Sequence, residues 1–120
     1  VQQAIGYYEQ QLVIVREIGD RRGEGAALGN LGNAYADLGQ VQQAIGYYEQ
    51  RLVIAREIGD RHGEALGGWN LGILLAKQGE LIRAIELMQV LVDFYQEIGH
   101  ANAEKHAAEV EKMRAAVDST

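Results

Sequence analysis

Between positions 41 and 58 the apolar residues fall at Val41, Ala44, Ile45, Tyr48, Leu52, Ala55 and Ile58. These steps of three, four and seven fill one face of an α-helix. Val53 and Ile54 widen the stripe, so this helix is expected to be buried on more than one side. Gly59 follows as a left-handed stop, and Asp60 is placed to cap the next helix. Gly19 and Asp20 repeat that punctuation earlier in the chain. A second helical pattern, GEGAALGNLGNAYADLG, fills residues 23 to 39 and recurs as GEALGGWNLGILLAKQG over 63 to 79. Gly25, Gly29, Gly32, Gly67, Gly68 and Gly72 lie inside these helices. An interior glycine costs about 1 kcal/mol against alanine, so keeping several predicts helices whose backbones approach closely. A phosphate-binding loop is not expected, because no strand precedes them.

The two patterns belong to a longer repeat. Residues 1 to 24 and 41 to 64 differ only at 11/51, 15/55 and 22/62, so Val1 returns as Val41. A looser third copy occupies 81 to 104. Self-similarity at such a period marks a stacked helical-repeat protein. The near-identity of the first two copies points to recent duplication or deliberate design. The expected architecture is all-α. It has the second helix of a partial repeat at 1–19, full repeats at 20–59 and 60–99, and a capping helix at 100–120. Ala103, Ala107, Val110, Met113 and Val117 give that last helix a thin apolar stripe among Glu104, Lys105, Glu109, Glu111 and Lys112. The opening helix carries Ile5, Tyr8, Leu12, Val13, Ile14 and Val15. Part of that surface is expected to lack a covering helix, making Ile5, Tyr8, Leu12 and Ile14 a candidate interface between copies.

Composition narrows the chemistry. The 120 residues carry 11 Lys and Arg against 17 Asp and Glu, a net charge of −6. The basic residues are scattered, so neither nucleic acid nor an acidic membrane surface is an expected partner. No apolar run is long enough to span a bilayer, and no signal peptide opens the chain. The first residue is Val1, so a piece of a longer protein is expected. The absence of cysteine excludes disulfides and thiolate chemistry and fits a reducing, cytoplasmic setting. Ser119 and Thr120 are the only hydroxyl amino acids apart from tyrosine, so the usual nucleophiles are missing from the body of the chain. His62, His100 and His106 lack the four-residue spacing of a helical metal pair and are expected to be solvated. Glu9, Glu17, Glu49 and Glu57 fall on polar helix faces rather than in a general acid–base pair. No enzyme and no cofactor is expected.

Leu28, Leu31, Gly32, Tyr35, Ala44 and Tyr48 follow one another in a spacing that resembles the tetratricopeptide repeat signature. Gly68, Leu71, Gly72, Leu75, Ala84 and Met88 repeat it, and Ala4 and Tyr8 supply the opening half-unit. The sequence departs from the family pattern in three ways. The repeat is longer than the commoner ~34 residues, the first helix of the first unit is missing, and no proline ends a unit. The long period is similar to the repeats of kinesin light chains, Leu-Gly-Asn scaffolds and bacterial repeat arrays. The resemblance implies a right-handed solenoid of antiparallel helix pairs, with a concave groove that holds a peptide or protein partner. By the family register Ala26, Gly29, Asn30, Asn33 and Asp37 face that groove, as do Leu66, Trp69, Asn70, Ile73 and Lys77. Asn30 and Asn70 are one period apart and could pair with a peptide main chain through both donor and acceptor. Trp69 reads either as core or, with Leu66 and Ile73, as an apolar anchor. Tyr8, Tyr35 and Tyr48 are expected in the core. A Lys-and-Asn clamp on a terminal carboxylate is not expected, because the matching lysines are absent. Gln11 and Arg51 replace a small residue of the signature, and Arg51 is expected within reach of an acidic neighbour.

Overall fold

The computed structural model describes residues 2–119, and six helices run through them. They are α1 (Gln2–Glu17), α2 (Arg21–Asp37), α3 (Val41–Glu57), α4 (Arg61–Lys77), α5 (Leu81–Ile98) and α6 (Ala103–Asp118). No strand occurs among the described residues. Among the described residues no helix is long and apolar enough to cross a membrane.

One turn chemistry recurs between the helices. Gly19 stands at φ 72°, a left-handed conformation that costs glycine little. There the Asp20 N–H reaches back to the Val15 carbonyl at 2.9 Å, which satisfies an otherwise orphaned helix C-terminus. The same bond closes the turn at Gln40, Asp60, Glu80 and His100. Asp20 and Asp60 then cap the following helices, each accepting the N–H three residues on, from Gly23 and Gly63, at 2.9 Å.

The chain divides into two compact units, Val1–Gly67 and Gly68–Thr120, and the boundary falls inside α4. In the first unit, Ile5 and Leu12 of α1 pack with Ala27, Leu28, Leu31 and Ala34 of α2 and Ile54 of α3. Tyr8 and Tyr35 are half-buried against this core, and Tyr48 is buried. The glycines of α2 fit close packing: a Cβ on Gly32 would collide with the Tyr48 ring. Tyr35 and Tyr47 stack with centroids 5.4 Å apart. A chain of ion pairs joins the three helices. Glu24, only 8% exposed, accepts from Arg16 at 2.9 Å and from Arg21 at 2.7 Å, and Arg21 also meets Glu57. The hydrogen bond from Arg16 is the main reason that the Glu24 carboxyl stays below its ordinary pKa, against the opposing effect of burial.

In the second unit, Leu91 and Val92 of α5 and Val110 of α6 are fully buried, and α5 and α6 pack together. A Cβ on Gly68 would stand 3.3 Å from the Leu87 carbonyl oxygen, and one on Gly72 would strike Met88. The positions of α6 that correspond to Gly25, Gly29 and Gly32 of α2 are Lys105, Glu109 and Lys112, all exposed. That face of α6 carries charged side chains where α2 carries glycines.

Candidate functional site

Arg22, Ala26, Asn33 and Asp37 succeed one another along one face of α2 and are exposed, with Asn30 beside them. Asn30, Asn33 and Asp37 line a recess of about 170 Å³ with Ala4 and Tyr8 of α1 and Ala34. Asn33 is partly engaged, since its Oδ1 accepts from the Tyr48 hydroxyl. Burial, and then the Asp37 charge, push the Tyr48 pKa up, so this hydroxyl keeps its proton and remains a donor. The Asn33 amide N–H groups are thus left for other partners. The Asn30 side chain makes no hydrogen bond among the described residues.

The other predicted groove residues lie along α4. Leu66, half-buried, belongs to the first unit. Trp69, Asn70, Ile73 and Lys77 belong to the second, where Asn70 is half-buried and Ile73 and Lys77 are exposed. Trp69 is not a free anchor. Its ring lies 4.3 Å from that of His106 on α6, and His106 lies 5.5 Å from Tyr95 of α5. His100 stacks on the same tyrosine at 3.9 Å and accepts the Asn102 N–H through Nδ1. The expectation of a solvated histidine therefore fails at His106, because the terminal helix folds it against two aromatic rings. Burial depresses the His106 pKa below 6.5, assisted by Lys105 and His100 and opposed by Glu109. No group of three or more metal-ligating side chains occurs among the described residues.

The residues expected to form an interface on α1 divide. Ile5 and Leu12 are 6% and 7% exposed and belong to the core, because α2 covers them. Tyr8 is half-buried, while Ile14 is exposed. The bare stripe is instead Tyr7, Ile14 and Ile18, at 58%, 49% and 71% exposure and on one helix face. The same sequence in α3 and its following turn presents Tyr47, Ile54 and Ile58, and there α2 covers them.

One residue does not do what its sequence position suggested. Arg51 meets no carboxylate among the described residues. Its side chain lies along α2 where a Cβ on Gly29 would stand 2.9 Å from Cδ and 3.1 Å from Nε.

Helices of nearly one length, joined by one recurrent turn and packed through glycines against side chains of the next helix, define a helical-repeat scaffold. A family model described as tetratricopeptide repeat matches residues 1–57 and 26–97, together most of the chain. The chain belongs to the tetratricopeptide repeat family, whose members generally mediate protein–protein interactions. No curated protein matches it closely enough for comparison.

Proposed function

We propose that the chain is an interaction module that holds a peptide segment of a partner protein along the polar row of α2. The observation that carries this reading is Asn30: an exposed side-chain amide with no internal partner, beside a recess that Asn33 and Asp37 also line. An amide there can donate to and accept from a peptide main chain in either direction. Asn70, Ile73 and Lys77 give α4 a corresponding row.

The test is a random peptide library selected against the whole chain, followed by affinity measurement with Asn30→Ala/Asn33→Ala. Loss of two amide contacts weakens the selected peptides by roughly tenfold. Peptides that bind the double variant as tightly as the parent would overturn the assignment to α2.

A second reading is favoured by the stripe of Tyr7, Ile14 and Ile18. These residues fit self-association through α1, because identical residues are covered by a helix one period later.

A further inference from the structure

The two near-identical copies differ at three positions, 11/51, 15/55 and 22/62, and residues from all three pairs line one recess. Arg22 of α2 and Arg51 and Ala55 of α3 surround a space of about 110 Å³, with Gly25 and Ala26 on its α2 wall. Ala55 stands where the other copy has Val15, and Arg51 where it has Gln11, so this copy has the smaller side chain at one position and a cation at the other.

The surrounding charges leave Arg51 available. Arg16 and Arg21 meet Glu24, Arg56 meets Glu64 at 3.0 Å, and Arg22 lies 3.6 Å from Asp60. Asp60, the carboxylate lining the recess, is also committed to the Gly63 N–H. Arg51 is half-buried, with its side chain over a glycine shelf. A methyl on Gly29 would press within 3.1 Å of Nε, and a Cβ on Gly67 would lie 3.8 Å from Cδ. A partly desolvated guanidinium with its donors unspent is matched by a carboxylate, which accepts its planar fork bidentately.

Resting on the reading of α2 as the partner-binding helix, we infer that this recess is a carboxylate subsite and that the partner segment is acidic, with an Asp or Glu side chain paired to Arg51. Asp37 lies eleven residues beyond Ala26, which lines the recess on the same helix face, about 16 Å along the axis. An extended peptide covers that in about five residues. The partner therefore carries its acidic residue that far from a basic or N–H-rich group, which meets Asp37.

Two measurements test this. The Arg Nε–H resonances of the whole chain are followed by NMR during titration with N-acetylaspartate amide. The Arg51 signal is expected to move along a saturating curve while Arg16 and Arg56, already paired, move little. Equal movement of Arg51 and Arg56 would overturn the subsite whether or not peptides bind. Peptides selected on the parent chain are then measured against Arg51→Gln, the residue that the other copy already carries at 11. Enrichment of Asp or Glu at one peptide position and a roughly tenfold loss with the variant are expected. Selected peptides that lack this enrichment, or bind the variant unchanged, refute the subsite. Sensitivity of those same peptides to Asn30→Ala/Asn33→Ala would show that the α2 reading itself survives.

Discussion

A methyl group at position 32 would collide with Cε1 of Tyr48, whereas one at position 46 would meet nothing within 4 Å. Both residues are glycines in helix interiors, so both carry the same intrinsic cost, and only packing separates them. Gly46→Ala on the exposed face of α3 is expected to stabilise the chain by about 0.5–1 kcal/mol. Gly32→Ala should instead cost about 1–3 kcal/mol, because the tyrosine must leave its position. Urea unfolding of the two variants measures both, and two changes of the same sign would show that the Gly32–Tyr48 contact does not decide the outcome. Gly32 was legible in the sequence because it falls in register with an aromatic of the next helix. Glu24 and Arg51 were not. Each looks like one more charge on a polar face, and spacing along one helix does not reveal what neighbouring helices bring to it. Arg16 arrives from α1 to meet Glu24, while Gly29 and Gly67 clear the space above which Arg51 lies.

At the scale of the element, the period of the apolar stripe and the recurring glycine stops marked out the helices, because every turn between them uses a left-handed glycine and the same backbone bond. What α6 does was less visible. Its stripe predicted a packed cap, but the spacing of histidines along the chain does not show which rings other helices bring to them. The partners of His106 come from elsewhere: Trp69 on α4, Tyr95 on α5 and His100 in the preceding turn. Lys105 and Glu109 are the charged neighbours with opposing effects on it. Because its folded pKa lies below 6.5, the unfolded chain takes up the proton first as pH falls. Stability should therefore be flat above that value and decline below it, through the folded pKa. Denaturation midpoints measured from neutral pH down to just above the carboxylate range check this. His106→Phe keeps a ring between Trp69 and Tyr95 and should flatten the decline. A variant with the parent's full pH slope would assign the proton uptake to another group.

For the whole molecule, the internal repeat acts as its own control. Tyr7, Ile14 and Ile18 are chemically the same residues as Tyr47, Ile54 and Ile58, and the second set lies under α2. A Cβ on Gly25 would be 3.4 Å from Ile54, which shows the kind of neighbour this stripe accepts: a helix presenting small residues. The uncovered copy is an apolar stripe on α1 and the turn that follows it, and water is a poor substitute for that helix. The solution mass of the chain is therefore expected to rise with concentration toward twice the monomer value as two α1 stripes bury each other about a two-fold axis. Ile14→Glu/Ile18→Glu should hold it monomeric with an unchanged helical spectrum, since both side chains already face solvent. Charges at Leu12 would not serve, because that residue is in the core and its loss would unfold α1 from α2. Light scattering across a dilution series separates the cases. A parent chain that stays monomeric at every concentration would remove self-association and leave the stripe to a helix of the α2 type from outside this chain.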